Sequence, residues 1–300
     1  MSYLELLRLA APETIIVVTA LVVLTIGLTS SRASKFAGVV AALGIVIAIV
    51  AILRLPAHAN LFGGMLVISP LNSLFKIICL VLALVTVPFA ATEKSLHNSA
   101  EFIALLLLAA VGLMLLVGSE ELLMIFIALE LLGLSLYIMA AFDKTDVRSA
   151  EGGLKYFLFG STASAFTLFG ISLVYGMTGT TALAAIAQKI GAGPIQPLLA
   201  VGIVMTLIGF AFKIAAAPFH LWAPDAYQGA PIPSAAFIAS GSKVASFVVL
   251  GKIVLTGFAS ARGSADWHAM VAGWSPVLAT LAALSILLGN FVALAQTNIR

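Results

Sequence analysis

The chain has 300 residues, of which 62% are hydrophobic and 9% are charged, and its formal net charge is +3. Soluble domains carry about 25% charged residues, so this chain cannot cover a soluble globule with polar surface, and we expect it in the lipid bilayer. The small net charge, without a basic cluster, excludes nucleic acid as a partner. Cys79 is the only cysteine, which excludes an intrachain disulfide and argues against an iron–sulfur cluster held by this chain.

Nine apolar segments approach the ~20 residues that cross the hydrocarbon core of a bilayer. They are residues 13–30, 36–53, 71–91, 99–118, 121–141, 153–177, 197–217, 232–257 and 274–294. The links between them are mostly short and polar, and none could hold a folded soluble domain. The sequence therefore predicts an all-α, polytopic protein with about nine transmembrane helices in one membrane domain, residues 1–300.

The positive charges in the links predict the orientation. One side of the membrane carries Arg32, Lys35, Lys94, Lys144, Arg148 and Arg300, and the other carries Arg8, Arg54, Lys189 and Arg262. Because lysine and arginine favour the cytoplasmic side, this small excess places the N-terminus outside the cytoplasm.

A lysine and a proline fall close together in the seventh apolar segment. Lys213 lies late in this segment, where an ammonium group costs about 2.5–3.5 kcal/mol on the insertion scale. Pro218 follows five residues later, and it interrupts the helix because it lacks an N–H group. The backbone groups that it frees cannot be satisfied by hydrocarbon. This combination favours a functional site over a plain membrane-spanning helix.

The segment from Pro218 to Pro233 contains four prolines and several polar or aromatic side chains, among them Pro224, His220, Trp222, Asp225 and Tyr227. One interpretation is an interfacial loop with an aromatic anchor. The other is a discontinuous helix, whose exposed ends and polar side chains line a hydrated cavity. The lysine directly before the break favours the second interpretation.

Three further ionisable residues lie inside apolar segments. Glu130 is roughly 12 Å from the nearer end of its segment at 1.5 Å per residue, too far for its carboxylate to reach the headgroups. Lys243 is also central, among small hydroxylated neighbours. Lys155 lies near the start of its segment, so its ammonium either extends to the surface or takes part in a site. For Glu130 and Lys243, a proton-handling role and a structural role with a satisfied partner are both compatible with the pattern.

Four other charged residues lie nearer to the ends of the segments. Lys76 and Lys252 are within about two turns of an end, and we expect both side chains to extend to the membrane surface. Glu120 lies just before the fifth segment and Glu121 is its first residue, so both are expected at the interface.

A buried lysine and a buried glutamate can together carry protons. Burial disfavours a charged ammonium, whereas a nearby carboxylate favours it. At about 7 Å and an effective dielectric constant near 20, the attraction is roughly 2.4 kcal/mol. A change in the separation of Glu130 and Lys213 would therefore move the lysine between holding and releasing a proton, with hydrated cavities and serine or histidine side chains completing the path.

Motifs for redox or nucleotide chemistry do not occur. The sequence has neither a complete dinucleotide-binding fingerprint nor a P-loop. The four histidines are scattered, so we assign no metal, haem or other cofactor to this chain. The driving energy for any transport must come from an ion gradient or from partner subunits.

The segment from Phe212 to Pro231, FKIAAAPFHLWAPDAYQGAP, resembles the signature of the antiporter-like membrane subunits of respiratory complex I, the proton-pumping NADH:quinone oxidoreductase. Its Phe-Lys and Tyr-x-Gly-Ala-Pro details are most similar to the subunit N family. Glu130 in ALELL, Lys155 in GGLKYF and Lys243 in SKVASF fall where that family carries its membrane acid and lysines.

The resemblance implies a fold of two inverted five-helix repeats with broken helices. It implies N-terminal helices in residues 13–91, a first antiporter-like repeat in residues 99–257 and the first helix of a second repeat in residues 274–294. Family members are much longer, so we expect this chain to be C-terminally truncated, without the second broken helix and its lysine.

The resemblance also implies the roles of individual residues. Glu130 and Lys213 would interact, and Lys155 and Lys243 would continue the proton path. From the Pro218–Pro233 segment itself we also expect His220 on this path and Pro218, Pro224 and Asp225 in the broken helix. No residue of this chain would be a redox catalyst. NADH, FMN, iron–sulfur clusters and quinone would act in other subunits of the complex, whose membrane subunits would be the partners of this chain in the bacterial inner membrane.

Two alternatives to a proton-translocating complex I subunit stay open. The first is a subunit of a multi-subunit cation/proton antiporter, which shares the fold and the pattern of charges. The second is a truncated, noncatalytic scaffold that supports assembly without moving protons.

Overall fold

The computed structural model describes residues 3–29, 36–191 and 195–296. Among these residues, eight helical stretches are long and apolar enough to cross a membrane, and one shorter apolar helix covers Ala37–Leu53. The prediction of an all-α polytopic protein with about nine spans is confirmed. Arg32, Lys35 and Arg300, which enter the prediction of orientation, lie outside the described residues.

The helices are α1 (Tyr3–Leu9), α2 (Ala11–Thr29), α3 (Ala37–Leu53), α4 (Pro70–Thr92), α5 (Ser99–Gly118), α6 (Leu122–Ala140), α7 (Val147–Thr178), α8 (Leu183–Ile190), α9 (Pro197–Ile214), α10 (Trp222–Gly229), α11 (Ile232–Phe237), α12 (Lys243–Lys252) and α13 (Trp274–Ala295). The long spans α4 and α7 begin at side-chain caps. The Ser69 hydroxyl accepts from the N–H of Asn72 (3.1 Å) at the start of α4, and the Asp146 carboxylate accepts from the N–H of Arg148 (2.9 Å) at the start of α7. Gly179 ends α7 in the left-handed conformation (φ 70°), which glycine adopts without steric cost.

Two links contain secondary structure that the sequence analysis treats as plain connection. Strands β1 (Ala59–Leu61) and β2 (Leu66–Ile68) pair antiparallel between α3 and α4. Gly63 and Gly64, both with positive φ, make the turn between them. The short amphipathic helix α8 follows α7 and buries Leu183 and Ile186.

α5 lies at the centre of the bundle. In its most apolar stretch 78% of the residues are buried, and α2, α3, α4, α6 and α12 all pack against it. In contrast, α13 has no buried residue and contacts mainly α9. The core is therefore built around α5, while α13 stands at one edge.

α7 and α9 approach each other closely because glycines line their contact. A Cβ atom on Gly170 would lie 2.6 Å from the backbone nitrogen of Thr206, and one on Gly202 would lie 3.1 Å from the carbonyl oxygen of Gly170. Small residues at such contacts let the backbones of membrane helices pack directly. This contact places the end of α9 beside α6 and α7.

The predicted eighth segment is one helical stretch with two irregular turns. α11 continues through a π-helical turn (Ile238–Ser242) into α12, and a second π-helical turn (Ile253–Gly257) follows α12. π turns inside α-helices are rare and occur often at functional sites. Lys243, the first residue of α12, directly follows the first of these turns.

Candidate functional site

The helix that carries Lys213 ends inside the bundle. α9 stops at Ile214, because Ala215 takes the left-handed conformation (φ 55°, ψ 43°) and its N–H turns back to the carbonyl oxygen of Phe212. This end is three residues earlier than that of the predicted segment, which runs to residue 217. Ala217 precedes a proline, which disfavours helical geometry at that position. The break therefore begins upstream of Pro218, and Lys213 lies in the last turn before it.

Two side chains bond carbonyl groups in the last turn of α9. The indole N–H of Trp222 donates to the carbonyl oxygen of Phe212 (3.0 Å), which also accepts from the N–H of Ala215. The ammonium group of Lys243 donates to the carbonyl oxygen of Lys213 (3.2 Å). The last four carbonyl groups of a helix lack their regular partners within the helix, so the bond from Lys243 satisfies an acceptor that hydrocarbon cannot.

The Lys213 side chain points towards α6. Its Nζ atom lies 3.4 Å from the Tyr137 hydroxyl and 5.4 Å from the centroid of the Tyr137 ring. Gly133 makes room for it, since a Cβ atom there would lie 3.0 Å from this Nζ. Lys213 is only 5% exposed, and it forms no ion pair with any carboxylate of the residues that the structure describes. It is a buried amine without a bonded counter-ion.

Glu130, about one helical turn before Gly133 in α6, faces the same small space. Its carboxylate accepts a hydrogen bond from the Ser164 hydroxyl of α7. Glu130, Ser164, Thr167 and Lys213 all line one cavity, in which the space open to the centre of a water molecule is ≈ 10 Å³. This is about the smallest space that holds one water molecule. The structure thus brings the predicted acid and lysine to one cavity without a direct bond between them.

Lys243 lies on the other side of the break. Its Nζ atom is 5.0 Å from the centroid of the Trp222 ring. The Trp222 ring is stacked on Tyr156 of α7, with ring centroids 4.2 Å apart and an interplanar angle of 7°. Lys243 also forms no ion pair within the described residues. The two lysines are connected through the backbone carbonyl group of Lys213, to which the Lys243 ammonium donates.

Lys155 has a different environment. Its Nζ atom lies 2.8 Å from the Asp225 carboxylate and 2.6 Å from that of Glu151, and the Lys155 side chain is 38% exposed. Asp225 belongs to α10, so this ion pair joins the broken segment to α7. From the sequence, Lys155 could either extend to the surface or join a site. In the structure it lies at the edge of the site with two carboxylate partners.

The other predicted residues of the break lie in different positions. Pro218 and Pro224 are exposed, and His220 is partly buried. The Nδ1 atom of His220 is buried and has no hydrogen-bond partner in the described part of the chain. A buried polar atom without a partner is uncommon, so His220 has a free donor or acceptor inside the protein.

The prediction that Lys76 and Lys252 extend to the membrane surface is wrong. The Lys76 Nζ atom lies 2.6 Å from the Glu13 carboxylate, and both side chains are nearly buried. The Lys252 ammonium donates to the carbonyl oxygen of Val117 (2.7 Å) at the end of α5, and its nearest carboxylate, that of Glu120, is 3.9 Å away. Each lysine finds a partner inside the bundle, so neither has to reach the headgroups.

Tyr137, Ser164 and Trp222 make contacts in the site that were not predicted. Tyr137 follows Glu130 by seven residues and so lies on the same face of α6, a signal that was present in the sequence. Ser164 and Trp222 reach the site from other elements, and no spacing along the chain reveals those contacts. Within residues 3–29, 36–191 and 195–296, no group of three or more His, Cys, Asp or Glu side chains could hold a metal ion.

Comparison with known proteins relates the chain to respiratory membrane subunits. A family model described as "NADH:quinone oxidoreductase/Mrp antiporter, TM" matches residues 119–300. The chain is 46% identical to NADH-quinone oxidoreductase subunit N 2 of Acidobacterium capsulatum, over 100% of this chain and 63% of the relative. It is 41% identical to NAD(P)H-quinone oxidoreductase subunit 2 of Rippkaea orientalis, over 96% of this chain and 56% of the relative. The chain thus spans about 60% of the length of these curated relatives.

Solved structures give the same relation. A chain of respiratory complex I from Thermus thermophilus matches with a TM-score of 0.77 and 32% identity, over 95% of this chain and 58% of that one. A chain of an archaeal membrane-bound sulfane sulfur reductase matches with a TM-score of 0.66 and 24% identity, and this second match supports the fold alone. The spans and the matches together make the chain a multi-pass membrane protein.

Proposed function

Because the chain belongs to the NADH:quinone oxidoreductase/Mrp antiporter transmembrane family, we propose that it is a proton-translocating membrane subunit of an NADH:quinone oxidoreductase. NADH, FMN, iron–sulfur clusters and quinone act in other subunits of this translocase. The partners of the chain are the other membrane subunits of that complex. The relatives named as subunit N, at 36–46% identity, support this assignment.

The observation that carries the proposal is the environment of Lys213. Its amine is buried at the end of a broken helix, forms no ion pair with the residues that the structure describes, and shares a water-sized cavity with Glu130. When an ion-paired lysine loses its proton, the bonded carboxylate is left as an uncompensated buried charge. Lys213 can lose its proton without this cost. Glu130, held by the Ser164 hydroxyl, is the group with which Lys213 exchanges a proton through the cavity.

The remaining residues of the site extend this path. Lys243 receives the proton on the far side of the break, where it already bonds the backbone of Lys213. His220 offers an unpartnered ring nitrogen within the same broken segment. Lys155 lies at the edge of the site and holds Asp225 of that segment. Pro218 and Pro224 keep the segment from continuing as a regular helix.

The arrangement of the chain in the membrane is also part of the proposal. Residues 13–91 form N-terminal helices, residues 99–257 form the first antiporter-like repeat, and residues 274–294 form the first helix of a second repeat. The membrane is the inner membrane of a bacterium. The N-terminus lies on its periplasmic side, since Lys94, Lys144 and Arg148 fall on the opposite side.

A second candidate function is supported by the family model, whose description also includes Mrp antiporters. In that case the chain would belong to a complex that exchanges cations for protons without redox chemistry. Purification of the native complex separates the two functions. Flavin and iron–sulfur clusters in the purified assembly support the oxidoreductase, whereas an assembly of antiporter subunits alone contradicts it.

The variant Lys213→Ala tests proton translocation in the intact complex. We expect proton uptake by inverted membrane vesicles to be lost, because the proton has no carrier at the break, while the complex still assembles. Lys252→Ala is the matched control, since it removes another buried lysine that bonds backbone carbonyl groups. Unchanged proton uptake in Lys213→Ala, with normal assembly and a normal quinone reductase rate, would instead identify the chain as an assembly scaffold.

A further inference from the structure

We propose that Trp222 is a positioning residue for proton transfer, and that its ring holds the charged Lys243 against the broken end of α9. The ring and the backbone carbonyl of Lys213 together form a binding site for one ammonium group. This inference rests on the proposed function, because it assigns Trp222 a role in the same proton path.

The orientation of the Trp222 ring is fixed from several sides. The residue is 1% exposed. Its indole N–H bonds the carbonyl oxygen of Phe212 in α9 (3.0 Å), and one face of the ring stacks on Tyr156 of α7. The ring cannot turn without losing both contacts. It is a rigid platform at the junction of α7, α9 and α10.

The position of Lys243 follows from this platform. Its Nζ atom lies 5.0 Å from the ring centroid and 3.2 Å from the carbonyl oxygen of Lys213. The face of an indole ring attracts a cation through its electron-rich π system, and it gives a neutral amine no comparable attraction. Because no carboxylate of the described residues pairs with Lys243, the ring supplies the main stabilisation of its charge besides the carbonyl group.

The consequence concerns both lysines. Lys243 donates to the carbonyl oxygen of Lys213. Trp222 donates to the carbonyl oxygen of Phe212, the residue directly before Lys213. A charged Lys243 therefore holds the last turn of α9, and with it Lys213, in the observed position. Loss of the proton from Lys243 weakens its hold on the ring and releases this constraint on the turn that carries Lys213.

Graded fluorination of the indole ring tests the inference in the intact complex. Fluorine substituents withdraw electrons from the ring face and weaken cation binding, while the shape of the ring and its N–H group are kept. We expect proton uptake per quinone reduced to fall with each added fluorine at Trp222. Over the full series the loss should lie between about twofold and about thirtyfold, the range that a cation–π contact spans.

Trp274 is the matched control, since its indole N–H also bonds a backbone carbonyl, that of Phe258 (2.9 Å). Fluorination there should leave proton uptake unchanged. Equal losses at Trp222 and Trp274, or no loss at Trp222, would overturn the inference.

A second test is Trp222→Phe, which removes the N–H bond but keeps an aromatic face. This variant should retain more proton uptake than Trp222→Leu when both assemble. Equal loss in these two variants would also overturn it.

Failure of this inference can be told apart from failure of the proposed function. If Lys213→Ala abolishes proton uptake while fluorinated Trp222 has no effect, only the role of the ring is wrong. If Lys213→Ala leaves proton uptake unchanged, the proposed function fails whatever the fluorinated variants do.

Discussion

The structure contains two clusters of buried lysines that differ in how each cation is held. The break cluster consists of Glu130, Lys213, Trp222 and Lys243, and the turn cluster consists of Glu13, Lys76, Glu120 and Lys252, around the turn between α5 and α6. In the turn cluster, Lys76 is bonded directly to a carboxylate at 2.6 Å. In the break cluster, neither lysine forms an ion pair within the described part of the chain.

This difference separates a structural cation from a mobile proton. When a buried ion pair loses one partner, the other charge is left uncompensated, at a cost of about 3–5 kcal/mol. Removal of Lys76 would therefore leave the nearly buried Glu13 carboxylate without its partner. Lys213 has the Tyr137 hydroxyl and two aromatic rings near its Nζ atom, and loss of its proton breaks no ion pair with the described residues. Burial alone does not distinguish the two lysines, since each is 5% exposed.

The largest effect is expected for Glu130→Gln in the break cluster. The amide cannot accept and release a proton, and a positioned proton-transfer group contributes about 10²–10⁴ in rate. We expect proton uptake by vesicles to fall by roughly a hundredfold or more, with insertion and assembly intact. Glu120→Gln, at the exposed end of the turn cluster, is the control. Similar losses in both variants would remove the distinction between the two clusters.

The Glu13–Lys76 pair should dominate the stability of the turn cluster. Lys76→Met leaves the Glu13 carboxylate buried without its partner and should lower the free energy of unfolding by about 3–5 kcal/mol. The double variant Glu13→Gln with Lys76→Met should recover much of that loss. Denaturation of the purified complex in detergent measures both. Proton uptake per assembled complex should not change, and a strong decrease would place this pair in the proton path.

Lys252→Ala should have a moderate effect that is confined to stability. It removes hydrogen bonds from a charged donor to the carbonyl groups of Val117 and Ser119 at the end of α5. Hydrogen bonds to charged groups contribute about 1.5–3 kcal/mol, so the denaturation midpoint should fall by less than in Lys76→Met. Reduced proton uptake without reduced stability would contradict the structural role of this lysine.

A smaller loss of proton uptake than in Glu130→Gln is expected for Ser164→Ala, which removes the hydroxyl that bonds Glu130. Hydrogen bonds to charged groups contribute about 1.5–3 kcal/mol, so proton uptake should fall by roughly ten- to a hundredfold. Ser135→Ala is the control, because its hydroxyl bonds the carbonyl oxygen of Leu131 within α6 (3.0 Å). A larger effect of Ser135→Ala would show that the Ser164 hydroxyl does not position the acid.

The membrane helices could be predicted from the sequence because each is a long apolar run, and such a run in hydrocarbon must close its own hydrogen bonds. The strands at Ala59–Leu61 and Leu66–Ile68 were not predicted. Their local signal is the pair Gly63–Gly64, which permits a tight turn, and three-residue strands are too short for alternation of polar and apolar residues to be recognised.

The candidate site could be predicted only in part. Lys213 and Glu130 were recognisable because an ionisable group inside an apolar segment is costly, and in the case of Lys213 because Pro218 follows closely. The true environment of Lys76 was not recognisable, because its partner Glu13 lies 63 residues earlier in the chain. The platform formed by Trp222 depends in the same way on Tyr156 and on the open end of α9, which only the packed helices bring together.

The π-helical turn at Ile238–Ser242 has a mechanical consequence for Lys243, which directly follows it. A π turn accommodates one residue more than an α turn does. If that extra residue were passed into the neighbouring α-helix, the helix would rotate by about 100° about its axis, the angle between successive residues. Such a screw-like step would carry the ammonium group away from the indole face while the backbone stays hydrogen-bonded throughout.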